Sequence, residues 1–187
     1  MLGKGWFPDH LGGLERYYRD LFENLPEVEG VVLGPVAVPP PNLHVVSAHD
    51  APLHRRLLAI HRQAAARAES VDVVDAHFAL YALLPTMVGP LRRTPLVVHF
   101  QGPWAQENVV QGDSSALRAG ARRLLERAVY RRAHAVITLT GAFKRVLIER
   151  YRVSPWDVHV LAPGVDLQRF SPGDRVRARE RFGLAPE

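Results

Sequence analysis

Pro95-Leu96-Val97-Val98-His99-Phe100-Gln101-Gly102-Pro103-Trp104 is a short apolar run that ends in polar side chains and a glycine turn. Leu96-Val97-Val98 shows no alternation of apolar and polar positions, which is the pattern of a strand covered on both faces. Ala135-Val136-Ile137 repeats it. Outward from these two, further strands are predicted at Gly30–Val38, Leu43–Ser47, Val71–Ala76 and Val158–Ala162. Helical patterns lie between them, at Leu14–Asn24, Leu53–Ala68, Phe78–Met87, Ser115–Arg132 and Ala142–Tyr151. Strands alternating with helices predict parallel βαβ units, hence an α/β sheet with helices on both faces.

One segment fits this pattern less simply. The first strand has only Met1-Leu2-Gly3-Lys4-Gly5-Trp6-Phe7 available, so it is short or irregular, or its true start lies upstream. In the helix Ser115–Arg132, Leu117, Ala121, Leu124, Leu125, Ala128 and Val129 form the predicted apolar stripe, with arginines opposite. Pro39-Pro40-Pro41-Asn42 reads as a stiff surface loop, since the strand pattern resumes directly after it.

At 187 residues the chain fits one α/β domain with a sizeable core. It has no cysteine, which removes disulfides and thiolate metal sites and agrees with a cytoplasmic setting. No His-x-x-x-His or carboxylate cluster appears, so no metal or other cofactor is predicted. No signal-type N-terminus or run of spanning length is visible. The net charge of +5 is almost entirely arginine, Lys4 and Lys144 being the only lysines. Without aromatic platforms or a recognised module, that balance predicts no nucleic-acid partner. It leaves room for phosphorylated ligands. Arg55, Arg56, Arg62 and Arg67 on one helix, and Arg118, Arg122, Arg123, Arg127, Arg131 and Arg132 on another, read as solvated faces or as a peripheral contact with an anionic membrane surface.

Three segments place chemistry-bearing residues at strand ends. In Pro8-Asp9-His10-Leu11-Gly12-Gly13-Leu14-Glu15, two glycines precede a helix whose free N–H groups and dipole favour an anion. The plainer reading is a Gly-Gly turn that starts the helix, with Glu15 as a helix-start residue. Asp75-Ala76-His77 closes the strand from Val71, at the carboxyl edge of the sheet where ligands of open α/β folds bind. His77 faces a ligand there or caps the next helix. His99 and Gln101 lie two apart on one face of the strand from Pro95, and His99 is either a site residue or a core histidine bonded to backbone. The segment 101–114 is long enough to cover a binding site.

The order of these segments, together with Val136-Ile137-Thr138-Leu139-Thr140 and Val160-Leu161-Ala162-Pro163-Gly164-Val165-Asp166-Leu167-Gln168-Arg169-Phe170-Ser171-Pro172, resembles the N-terminal domain of GT-B glycosyltransferases of family four. The resemblance implies a Rossmann-like doubly wound domain over residues 1–172 and, over 173–187, the start of a linker to a C-terminal nucleotide-sugar domain. It implies retaining transfer of a sugar from a nucleotide diphosphate sugar to an acceptor hydroxyl, the isolated domain being inactive. Gly12 and Gly13 would meet the donor diphosphate, Asp75 and Trp104 would lie on the acceptor side, and His77, His99 and Gln101 would serve the reaction. Three positions depart from the family pattern: Gln101 stands where a histidine is expected, Thr140 for serine and Pro163 for asparagine. Glutamine still hydrogen-bonds but does not titrate near neutrality. A different reading is a non-catalytic module holding an acceptor, a lipid surface or a protein partner. A dinucleotide-binding protein fits less well, because Gly12-Gly13 lacks the three-glycine spacing.

Overall fold

The structure is a computed structural model and describes residues 1–102 and 116–185. Its strands are β1 (Gly30–Gly34), β2 (Leu43–Ala48), β3 (Val74–Ala76), β4 (Leu96–Phe100), β5 (Ala135–Thr138) and β6 (Val158–Val160). Its helices are α1 (Gly13–Asn24), α2 (Leu53–Ala65), α3 (Ala79–Met87), α4 (Ala116–Arg132), α5 (Gly141–Tyr151) and α6 (Arg175–Arg181). Every predicted strand and helix is present; the strands are shorter than predicted except β2, which runs one residue further. β1 stops at Gly34 because Pro35 has no N–H to give the ladder.

The strands pair in parallel as β2-β1 and as β3-β4-β5-β6. Leu2 joins the two sets, bridging Val31 of β1 and Ala76 of β3. Its N–H donates to the Asp75 carbonyl at 2.7 Å and its carbonyl accepts from the His77 N–H at 2.9 Å. On the other side Gly3 N–H donates to the Val31 carbonyl and Val31 N–H to the Met1 carbonyl, both at 2.9 Å. The irregular first strand is thus one bridging residue with its neighbours. The sheet runs β2-β1-Leu2-β3-β4-β5-β6, so the chain's direction of growth reverses beside Leu2. Doubly wound sheets bind ligands at such a reversal, outside the carboxyl ends of the strands.

Two apolar clusters hold the sheet. The larger includes Leu33, Val98, Phe100, Val136, Leu147 and Tyr151. The smaller, under α1, is Trp6, Tyr18, Phe22, Val32 and Leu43. Gly30 sits against the second: a Cβ there would lie 2.7 Å from Leu43 Cδ1, Phe22 Cε2 and the Tyr18 hydroxyl. Gly30→Ala is therefore expected to lose about 1–3 kcal/mol through overpacking, read as a lower denaturant midpoint. An unchanged midpoint would mean that this packing is looser than drawn.

The predicted stripe on α4 holds at Val129 and fails at Leu124 and Leu125. Leu124 and Leu125 are 64% and 42% exposed, while Glu126, Val129 and Tyr130 are buried. The inward position goes to an acid because a partner meets it: the Tyr151 hydroxyl donates to Glu126 Oε2 at 2.9 Å. Tyr130 and Tyr151 then pack edge-to-face with each other and with Phe100 of β4, at 5.1–5.8 Å between ring centres. That aromatic wedge fixes the helix rotation, and aliphatic periodicity carries no sign of it.

Candidate functional site

Register decides which polar side chains meet at the carboxyl edge. Asp75 pairs with Val97 and Ala76 with Val98, so His77 and His99 stand one step further as neighbours on adjacent strands. Strands about 4.8 Å apart bring such side chains into contact. The two imidazoles stack, with ring centres 4.1 Å apart and planes 12° from parallel. Asp75, two residues before His77, points to the same face. Its Oδ1 lies 3.1 Å from His99 Nε2 and its Oδ2 lies 3.7 Å from His77 Nε2. His77 and His99 are buried, and the Asp75 side chain is partly open. Three residues singled out separately from the sequence thus form one cluster.

The sequence did not point to the fourth member, Tyr17 of α1. Its hydroxyl lies 3.2 Å from His99 Nδ1, and its ring packs at 5.4 Å against both histidines. A phenol one turn inside a helix that follows a Gly-Gly turn was the available signal.

Burial alone would raise the Asp75 carboxyl, but the imidazoles of His77 and His99 outweigh it and hold that carboxyl well below the usual carboxylate range. For His77 burial wins, and its imidazole sits below its ordinary value despite Asp75. Burial, and then the Asp75 charge, raise the Tyr17 phenol. The cluster at neutral pH is one carboxylate, a neutral His77 and a neutral phenol.

The ligand atoms of Asp75, His77 and His99 lie within 4.8 Å of one another, as in a metal site. The ring planes argue against that use. A metal lies in the plane of an imidazole at about 2 Å from its nitrogen, and one ion cannot lie in two stacked, nearly parallel planes. The arrangement sets both imidazoles against one carboxylate at ion-pair distance.

Of the two glycines, only Gly13 leaves the start of α1 open, since a Cβ there would meet nothing within 4 Å. At Gly12 a Cβ would fall 2.0 Å from Glu15 Oε2, so the missing side chain makes room for the protein's own carboxylate. Glu15 is buried in the first turn of α1, with His10 Nδ1 at 3.4 Å and Lys4 Nζ at 3.9 Å. His10 in turn packs on His49, just past β2, with ring centres 4.0 Å apart. Glu15 is a structural residue of this corner.

Gln101 follows β4 directly, and its Nε2 is buried with no hydrogen-bond partner among the described residues. Trp104 lies outside the described residues, as does most of the segment 101–114. The Thr140 hydroxyl accepts from Phe143 N–H at 3.2 Å, which commits it to capping α5. At the other end of the chain, Asp166 Oδ1 accepts from the N–H groups of Gln168 and Arg169, at 2.9 and 3.1 Å. The Arg16 guanidinium lies 5.8 Å from the Phe7 ring and 5.9 Å from Phe170, tying this turn back to the loop before α1. No described helix is long and apolar enough to cross a membrane.

The fold agrees with what known proteins show. The family model for Glycosyltransferase Family 4 matches residues 11–169. The chain is similar to D-inositol 3-phosphate glycosyltransferase 1 of Catenulispora acidiphila, 35% identical over 113 residues, which are 60% of this chain and 27% of that protein. It is equally similar to the D-inositol 3-phosphate glycosyltransferase of Actinosynnema mirum, 35% identical over 116 residues, 62% of this chain and 28% of that one. Among solved structures, Anabaena Alr3699/HepE in complex with UDP superposes with a TM-score of 0.66 at 17% identity. That match covers 97% of this chain and 49% of the other. A second structure of that protein, with UDP-glucose, gives 0.65 at 16% identity, again covering 97% and 49%. The chain spans about half the length of that solved protein and aligns with little more than a quarter of the curated relatives. It belongs to glycosyltransferase family 4, and its architecture is one Rossmann-like half of a GT-B fold.

Proposed function

We propose that this chain is the acceptor-side, N-terminal half of a retaining glycosyltransferase of the cytoplasm. The full protein would move a sugar from a nucleotide diphosphate sugar to an acceptor hydroxyl. The observation that carries this reading is the Asp75–His77–His99–Tyr17 cluster at the carboxyl edge, beside the open start of α1 at Gly13. Gly13, with Gly12 holding Glu15 aside, lets the first N–H groups of α1 approach the donor diphosphate. UDP and UDP-glucose in the solved neighbours support a uridine donor, and the names of the relatives make D-inositol 3-phosphate the first acceptor to try.

In a retaining transfer the leaving phosphate can take the acceptor proton, so Gln101 in place of a titrating histidine is compatible with activity. Stabilising the departing diphosphate then carries most of the barrier reduction. Residues 1–172 form the domain, and 173–187 begin a linker to the domain that would grip the nucleotide. The exposure of apolar side chains in this stretch supports that, with Val176 and Phe182 at 59% and 75%. A domain packed there would cover them. The arginine faces of α2 and α4 leave a peripheral contact with anionic lipid open.

A transfer assay on the full-length protein with UDP-glucose, other nucleotide sugars and D-inositol 3-phosphate tests the reading. Product with the donor's anomeric configuration is expected. His77→Ala should lower its rate on the order of 100-fold, as misplaced reacting groups do. Acceptor binding without transfer from any donor would instead favour a non-catalytic binding module, the second reading, which the non-titrating Gln101 supports.

A further inference from the structure

We infer that the Asp75 charge fixes the direction of the His99–Tyr17 hydrogen bond and so presents the Tyr17 oxygen as an acceptor to a substrate hydroxyl. The inference rests on the acceptor-side reading for the identity of that substrate, and on geometry alone for the direction of the bond.

The direction follows from what each group can offer. An ionised carboxylate only accepts. Asp75 Oδ1 is 3.1 Å from His99 Nε2, so that nitrogen carries the imidazole proton. The contact is electrostatic more than a well-aligned hydrogen bond, since Oδ1 makes none of good geometry. A charge at this distance still sets the tautomer. In a neutral His99 the other nitrogen, Nδ1, is then an acceptor, and the hydroxyl 3.2 Å away must donate to it.

Tyr17 has one proton and gives it inward. What remains on its oxygen is lone-pair density, and the Tyr17 side chain is only half-buried. His99 is buried, and the less buried Tyr17 packs against it. His77, stacked on His99 and aimed at the same carboxylate, keeps the His99 ring from turning over.

The substrate group that fits is therefore a hydrogen-bond donor. A hydroxyl is accepted; the same position as an ether or an O-methyl group leaves the Tyr17 oxygen unpaired and is disfavoured. Tyr17 is the residue that touches substrate here, and His99 and Asp75 position it.

Nitrogen-15 NMR of the ring nitrogens, on the 187-residue chain at about pH 8, where an ordinary imidazole is neutral, reads the direction. The expected pattern is a protonated Nε2 and an unprotonated, hydrogen-bonded Nδ1 on His99. Tyr17→Phe should shift the Nδ1 resonance towards that of a free imidazole and leave Nε2 protonated. A proton on Nδ1 in the wild-type chain overturns the inference. So does a Tyr17→Phe variant with an unmoved Nδ1 signal.

Equilibrium binding of D-inositol 3-phosphate to the full-length protein is a separate arm. Weakening by about tenfold in Tyr17→Phe, the size of one lost hydrogen bond, supports the substrate contact, and unchanged affinity overturns it. If the wild-type protein does not bind this probe, the acceptor suggested above is wrong, while the ring-nitrogen pattern still decides the direction of the bond.

Discussion

Replacing Leu2 with proline is expected to remove about 3 kcal/mol or more of stability, the largest effect of any single change considered. Three losses coincide at this residue. Its buried side chain leaves the main core, and truncating a buried leucine costs about 2–5 kcal/mol by itself. Its N–H, bonded to the Asp75 carbonyl at 2.7 Å, disappears and leaves a buried acceptor unmet. The sheet is also cut where one residue joins β1 to β3. Leu2→Ala keeps the N–H and loses only the side chain, so the difference between the two variants isolates the backbone link. Equilibrium denaturant unfolding measures both. A Leu2→Pro variant within about 1 kcal/mol of wild type would mean that the two sets of strands do not depend on this bridge.

The second large effect is a loss of stability in mild acid. The folded His77 imidazole is held below its ordinary value by burial, so the unfolded chain binds this proton first as pH falls. Stability from this group is full above the ordinary histidine range and declines as pH drops below about 6.5. The slope reaches at most about 1.4 kcal/mol per pH unit. It levels off below the folded value, where both states hold the proton. Asp75 acts in the same sense but lower: its depressed carboxyl adds stability above the ordinary aspartate range, about pH 4, and loses it as pH falls further. Unfolding midpoints should therefore fall between pH 7 and 5, and His77→Gln should flatten that stretch. An equal slope in the variant would place the acid sensitivity elsewhere.

Much of this was legible in the residues. The unbroken apolar runs Leu96–Val98 and Ala135–Ile137 are parallel strands of the sheet, with Leu96, Val98 and Val136 buried and Val97, Ala135 and Ile137 half-buried. Asp75, His77, His99 and Gln101 lie at the carboxyl edge because strand ends in a parallel sheet all point there. What could not be read is register. That His77 faces His99 follows from Ala76 pairing with Val98, a fact set by the whole sheet and not by either segment. Tyr17 was missed for a related reason: its role depends on where α1 crosses that edge. The stripe on α4 failed at Leu124 and Leu125 because a buried acid, satisfied by Tyr151, outcompeted them for the inward face. Gly12 shows a subtler gap. The Gly-Gly pair signals close approach, but at Gly12 the approaching group is Glu15, within the protein.

The central claim is that this chain supplies one wall of a two-domain site and not a working enzyme. Sugar transfer from a panel of nucleotide sugars, assayed in parallel on the 187-residue chain and on the full-length protein, tests it most directly. The account predicts product from the full-length protein and none from the chain alone. Turnover by the 187-residue chain by itself would contradict it.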